Sequence, residues 1–318
     1  MTTGYAFRGS ERLIEAVAER LAEAGYAPVE DVAAAEVVLT FSTTQRELED
    51  LYFGDGGFVQ LLAPGTLLVD LSATTPGFAR ELNAVATVSD LVMVEAPLVV
   101  DDLARADSFA RENLSCFAAG EGDALNRAAP LLEALCGTVH EVGTPGAAQL
   151  ARAAFTMQVA AQVVAAVEAD ALYRAVRRSP AGSGLGDMRP GALSAAGVAV
   201  IEAVDAGRFE GAYTVEMLMA ELSAALMAAD DAELILPQAE AAIHLLELLA
   251  VIGGADKAPA TLALVYGEES ACAEHGLDWT RAEQAYGQAA GEDDGWDAVA
   301  ADDEWPENWE DGFDYTSN

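Results

Sequence analysis

Short apolar runs alternate with helical patterns over the first half of the chain, and from Pro145 onward the pattern is helical throughout. Gly4-Tyr5-Ala6-Phe7, Glu36-Val37-Val38-Leu39-Thr40-Phe41, Leu67-Leu68-Val69-Asp70 and Leu91-Val92-Met93-Val94 have the length and near-continuous apolarity of buried strands. Ser115-Cys116-Phe117-Ala118-Ala119 and Thr138-Val139-His140-Glu141-Val142 supply later strands, with a helix over residues 123–135 between them. Such strands, separated by helices, predict a parallel sheet with crossover connections. Ser10 opens the first helix, which runs to Ala24 and closes at Gly25.

In the second half, the Ala-rich stretch 147–176 predicts one long helix whose small residues favour close packing, and 178–191 is a Gly/Pro-rich break. Further helices are expected near 193–206, 214–229, 237–251 and 259–267, with a short one over 277–288. From Gly291 the composition shifts to Asp, Glu and aromatic residues with no base, which predicts a tail disordered in isolation. The expected architecture is α/β then all-α: a Rossmann-like domain over residues 1–144, a helical domain over 145–288 and an acidic tail over 289–318.

Charge narrows the partners. The formal charge of −37 reflects a shortage of bases as well as an excess of acids, since Lys257 is the only lysine. Such a field repels nucleic acid and anionic membranes. It also opposes a dinucleotide or carboxylate ligand unless a local positive site offsets it. Cys116, Cys136 and Cys272 are widely spaced and odd in number, which fits a reducing compartment without disulfides. His140, His244 and His275 are scattered, so no metal site is expected. No run is expected to span a bilayer, and the first residues lack a signal peptide's basic and apolar regions, so a cytoplasmic protein is expected.

Three segments carry chemistry: Leu67-Leu68-Val69-Asp70-Leu71-Ser72-Ala73-Thr74-Thr75-Pro76, Val94-Glu95-Ala96-Pro97-Leu98, and the stretch from Val142-Gly143-Thr144-Pro145-Gly146 to Arg152 and Thr156. With them the chain resembles the β-hydroxyacid dehydrogenase superfamily, which includes 3-hydroxyisobutyrate and 6-phosphogluconate dehydrogenases. The resemblance runs to about Tyr286 and implies NAD(P) as cofactor, a substrate in the interdomain cleft, no metal, and a homodimer formed through the helical half.

In that family the active-site helix reads G-x-G-x-x-x-K-x-x-x-N, where the lysine moves the hydroxyl proton and the asparagine orients the substrate. Here Arg152 and Thr156 stand at those catalytic positions. A buried lysine can be tuned toward neutral pH, whereas an arginine holds its proton. A second lysine-bearing helix of the family matches Tyr213-Thr214-Val215-Glu216-Met217-Leu218-Met219-Ala220-Glu221-Leu222, where Ala220 replaces the lysine and Glu221 keeps the acid. The substrate loop D-A-P-V-S-G-G becomes Glu95-Ala96-Pro97-Leu98-Val99-Val100-Asp101, which puts β-branched side chains and an acid where glycines and a serine would receive a carboxylate.

The cofactor cradle is also incomplete. Aligned with G-x-G-x-x-G, the first turn keeps Gly9 but places Glu11 and Ile14 at the second and third glycines. Only residues 27–35 separate the first helix from the Glu36-Val37-Val38 strand, so the sheet is expected to be one βα unit short. Gly9, Ser42, Ser72 and Glu221 remain as cofactor-binding positions, and Glu95, Val99, Val100 and Asp101 as substrate positions.

Three readings follow. The leading one is a family member that does not perform the parent oxidation: a dimeric scaffold for a small ligand or a protein partner, with the tail 291–318 as a docking segment, a solubilising segment or a cover for a groove of its own protein. The second is an NAD(P)H-dependent reductase of imines or ketones, since some imine reductases share the architecture without using the lysine. The third is a different enzyme that uses Arg152, Glu95, Asp101 or Glu221 in the cleft.

Overall fold

The structure is a computed structural model describing residues 2–178 and 194–289. β1 (Thr3–Gly9) leads through α1 (Glu11–Glu23) to β2 (Tyr26–Pro28), and a single 3-10 turn (Val32–Ala34) then reaches β3 (Val37–Phe41). α2 (Gln45–Phe53) and α3 (Phe58–Leu61) precede β4 (Leu67–Asp70), and α4 (Pro76–Val88) precedes β5 (Val92–Glu95). β6 (Leu98–Val100), β7 (Leu114–Gly120), α5 (Gly122–Leu135) and β8 (Thr138–Gly143) complete the sheet. The helical half comprises α6 (Ala147–Arg178), α7 (Ala195–Asp205), α8 (Val215–Asp231), α9 (Pro237–Leu249), α10 (Leu262–Val265), α11 (Glu269–Glu274) and α12 (Thr280–Ala289). The sequence's Gly/Pro-rich break beyond Arg178 and its acidic tail beyond Ala289 lie outside the described residues.

Eight strands form one sheet in the order β2-β1-β3-β4-β5-β7-β6, with β8 on the other side of β7. The first five strands are mutually parallel, and β7 runs antiparallel to β5 and β6. The second βα unit survives only as the three residues of β2 and one 3-10 turn, so the chain reaches β3 without a second crossover helix. Pro28 ends β2, and Asp31 caps the turn by accepting from the amide of Ala33 at 3.0 Å.

The segment expected as a substrate loop is a strand. Val94 and Glu95 of β5 pair with Gly120 and Ala119, and Leu98, Val99 and Val100 of β6 continue along β7 opposite Cys116, Ser115 and Leu114. The register is unbroken across Ala96-Pro97, because the β-branched valines suit a pleated, covered position.

Alternation along the parallel strands sorts the core. Tyr5, Leu39, Val69 and Val94 face a cluster that continues through Val163 and Val167 of α6 to Leu218 and Leu246 of α8 and α9. Ala6, Val38, Leu68 and Met93 point the other way, against Tyr52, Phe78 and Leu82. The larger core thus joins sheet and helices through α6.

Within α6 an 18-residue window of mean hydropathy 1.4 is long and apolar enough to cross a membrane, the one helix among the described residues to be so by itself, and 44% of that window is buried inside the fold. α6 packs on α7, α8, α9 and β7, as the helix that joins sheet and bundle.

Candidate functional site

The C-terminal ends of β3, β4 and β5 and the start of α1 face the helical half, the edge where open α/β sheets bind ligands. Three polar clusters lie there, and they divide the residues expected to form one site.

The first is a buried chain of hydroxyls ending on Asp70. Thr40 Oγ1 donates to Asp70 Oδ1 at 2.9 Å, and Tyr52 Oη lies 3.1 Å from Thr40 Oγ1. Ser72 donates to the same carboxylate oxygen from Oγ at 2.7 Å and from its amide at 3.1 Å. The amide of Ser42 donates to Ser72 Oγ at 3.0 Å, while the Ser42 hydroxyl donates to Glu47. Burial pushes Asp70 up to about 6, against the lowering pull of these hydrogen bonds. Ser42 and Ser72 therefore spend their polar atoms on each other and on neighbouring carboxylates.

The second cluster ties the sheet to α6. Glu95, 3% exposed, accepts from the amides of Gly146 at 2.7 Å and Ala148 at 3.1 Å, at the start of α6. Its other oxygen is buried without a partner. Desolvation pushes Glu95 up to about 7, opposed by those two amides. Gln149 accepts from the amide of Thr74 at 2.9 Å and donates to the Ser72 carbonyl at 3.0 Å, holding the turn after β4 against α6. Glu95, expected to meet substrate, is a clamp on the α6 N-terminus.

The third cluster contains both catalytic positions. Arg152 is 3% exposed and Glu221 8%. Arg152 forms an ion pair with Glu221 and donates to Thr156 Oγ1. Tyr213 Oη donates to Glu221 at 2.6 Å, and burial beside that carboxylate pushes the phenol well up. Arg152 Nε has no partner, and the Phe155 ring lies 5.7 Å from the guanidinium carbon. Val100, Leu103, Val159 and Leu218 close the walls around about 170 Å³ of interatomic space, none of which admits a water-sized sphere. Glu221, expected at the cofactor, instead neutralises Arg152. Tyr213 completes the cluster; the sequence offered it only as an aromatic at the head of the second lysine-bearing motif.

The remaining positions disperse. Val99 is buried in β6, and Asp101, exposed beyond that strand, accepts from Ser115 Oγ at 2.9 Å. Gly9 and Ser42 line an open cleft of about 450 Å³ between the sheet edge and α8.

This cleft is where the dinucleotide of such a fold would lie, and its residues do not fit a pyrophosphate. Glu11, Glu47, Glu216 and Asp256 line it against a single base, Arg12. Gly9 has a φ of +128°, and a Cβ there would overlap the Phe41 carbonyl, so this glycine serves the approach of β1 to β3. Among the described residues, no three His, Cys, Asp or Glu side chains converge as metal ligands.

An α/β sheet of this topology followed by a helix bundle, with a cleft at the strand ends, defines a dehydrogenase-type dinucleotide-binding architecture. Residues 2–143 match the NAD-binding domain of 6-phosphogluconate dehydrogenase. The NAD-dependent L-serine dehydrogenase of Pseudomonas aeruginosa is 31% identical over 141 residues, 44% of this chain and 46% of that protein. The match to that curated relative thus spans under half of its length. Over 83% of the chain the fold follows 99% of 3-hydroxyisobutyrate dehydrogenase from Salmonella typhimurium, with a TM-score of 0.63 at 16% identity. A structure described as Psf3 in complex with NADP+ and 2-OPP gives a TM-score of 0.65 at 18% identity, again over 83% of this chain and 99% of the other.

Proposed function

We propose that this chain uses the hydroxyacid-dehydrogenase fold without carrying out hydroxyacid oxidation. One observation supports this above the others: Arg152, at the position of the family's proton-transferring lysine, is sealed in an ion pair with Glu221, with Tyr213 and Thr156 completing the shell. A general base must reach the hydroxyl it deprotonates and release its own proton near the working pH. Arg152, enclosed by its partners, does not meet the first condition, and arginine as a residue type is ill suited to the second. The acids of the cleft act in the same direction, since they oppose an incoming pyrophosphate.

On this reading the chain is a cytoplasmic homodimer assembled through its helical half, with units at 1–144, 145–288 and 289–318, and the cleft beside Gly9 and Ser42 receives a small molecule other than a dinucleotide. The test is a titration with NADH and NADPH, following cofactor fluorescence at low and high salt. No saturable binding is expected at either salt.

A second reading, an NAD(P)H-dependent reductase of imines or ketones, draws on one feature. Ser10 makes no side-chain cap on α1, so the first amides of that helix, which lines the cleft, keep their capacity to receive an anion. Saturable micromolar binding in the titration would favour it.

A further inference from the structure

Three buried polar side chains stand in a row across the sheet. Thr40, Asp70 and Glu95 are register neighbours on β3, β4 and β5, and by alternation each points to the face that also carries Val38, Leu68 and Met93. Adjacent strands lie about 4.8 Å apart, so Asp70 and Glu95 sit side by side. They are 1% and 3% exposed.

Their hydrogen bonds are unequal. Asp70 Oδ1 accepts from Thr40 Oγ1, Ser72 Oγ and the Ser72 amide, three donors that favour its charged form. Glu95 has two donors, the amides of Gly146 and Ala148, both on Oε1, and Oε2 is buried with no partner. Ionising both groups puts like charges on neighbouring strands inside the fold. Asp70 is thus the carboxylate of the pair and Glu95 the carboxylic acid, in keeping with the values of about 6 and about 7 to which burial pushes them.

The surroundings of Glu95 hold little to balance a second charge. β7 presents Ala119 beside it, and α5 covers the opposite face of the sheet. Asp70 acts on it from β4 with the same sign, and Tyr52 of α2 lies further along the row, beyond Thr40. Arg80 of α4 is the opposing charge, an exposed side chain lying over Gly146, where a Cβ would come within 2.8 Å of its Nη1. Desolvation therefore outweighs the cation, and Glu95 keeps its proton while it holds α6. An opening that brings water to Glu95 removes the desolvation, so the held form is favoured below the ordinary value of 4.5 and loses ground as pH rises through about 7.

We propose that Asp70 and Glu95 hold one proton between them near neutral pH, seated on Glu95, and that its loss releases the start of α6 from the sheet edge, a pH-sensitive latch between the sheet and the helical half. The larger core passes from sheet to bundle through α6, so the latch acts where the two halves join. The proposal is independent of whether the sheet-edge cleft binds a cofactor.

The test is amide exchange at Gly146 and Ala148 in the full chain, with each rate divided by the intrinsic rate at the same pH. Protection at both amides is expected to fall at least about ten-fold from about pH 5.5 to about pH 8. In Glu95→Gln, whose side-chain carbonyl still accepts both amides, protection is expected to stay constant over that range. In Asp70→Asn the fall is expected to be smaller, because the neighbouring charge is gone. Constant protection in the parent chain overturns the proposal, as does a fall that persists in Glu95→Gln or is undiminished in Asp70→Asn. Protection at Gly146 and Ala148 is also expected to lie below that of Val69 in β4 at every pH; equal protection means that α6 leaves only when the domain unfolds, and overturns a local latch. In the parent chain alone, the carboxyl-carbon resonance of Glu95 is expected to titrate at higher pH than that of Asp70, and the reverse order overturns the seating of the proton.

Discussion

Replacing Arg152 by methionine removes one member of a buried pair and strands the other. Glu221 is then a carboxylate at 8% exposure with the Tyr213 hydroxyl as its remaining donor. Breaking a buried ion pair from one side costs about 3–5 kcal/mol, because the partner's charge stays desolvated. In a chain of this size that is a fall of about 5–8 °C in Tm. Glu221→Met is expected to cost a similar amount, since it leaves the guanidinium with only Thr156 and also strands the Tyr213 hydroxyl, itself worth about 1–3 kcal/mol. The double variant behaves differently. Val100, Leu103, Val159 and Leu218 already make the walls apolar, so two methionines meet a matching environment, and the Tyr213 and Thr156 hydroxyls lose the side chains they bonded. Its expected cost is about 2–4 kcal/mol, well below the sum of the singles, and adding Tyr213→Phe recovers part of that. Urea denaturation followed by circular dichroism, with the slope checked for constancy, measures the cycle. A cost below about 1 kcal/mol for Arg152→Met, or strict additivity of the singles, would refute the claim that Arg152 is committed to Glu221.

Three further outcomes are expected. Gly9→Ala places a Cβ against the Phe41 carbonyl at a φ of +128°, and a loss of more than about 3 kcal/mol follows; a near-neutral effect in the same denaturation assay would mean that β1 and β3 separate at little cost. Glu95 ordinarily titrates at 4.5 and is pushed up to about 7, so the folded chain retains a proton that the unfolded chain has lost and stability falls as pH rises through that interval. Asp70, raised to about 6, adds to the same slope. Glu95→Gln is therefore expected to gain on the parent by at most about 3 kcal/mol between pH 4.5 and 7, and a pH-independent difference in Tm would contradict that. Gln149→Leu removes both hydrogen bonds to the turn after β4 and is expected to cost about 1–3 kcal/mol and to speed amide exchange at Thr74; unchanged exchange would show that the turn holds without α6.

Where burial set the pattern, the sequence was legible. β1, β3, β4 and β5 stand where the apolar runs lay, and the long helix predicted over 147–176 is α6, ending at Arg178. β2 escaped notice because three residues ending in proline carry too little pattern, and its identity rests on pairing with β1. β6 was read through a family loop, although Val99 and Val100 have the propensity of the strand they form. α2 and α11 are short and mostly polar, and tertiary contacts hold them. The site was legible as a set of positions and not as an arrangement. Exchange of the lysine for Arg152 was plain, but its pairing with Glu221 joins residues 69 apart on two helices, a contact no local pattern encodes. Glu95 illustrates the same limit, since its partners are amides at 146 and 148, and backbone donors have no sequence signature.

The most direct test of the central claim is a steady-state assay for hydroxyacid-dependent reduction of NAD+ and NADP+ by the full chain, with L-serine and 3-hydroxyisobutyrate as substrates and Arg152→Ala in parallel. The account predicts no NAD(P)H formation above the substrate-free baseline for either protein. Turnover of about one per second or faster in the parent chain, lost in Arg152→Ala, would contradict it, because the arginine would then have to leave Glu221 and serve the reaction.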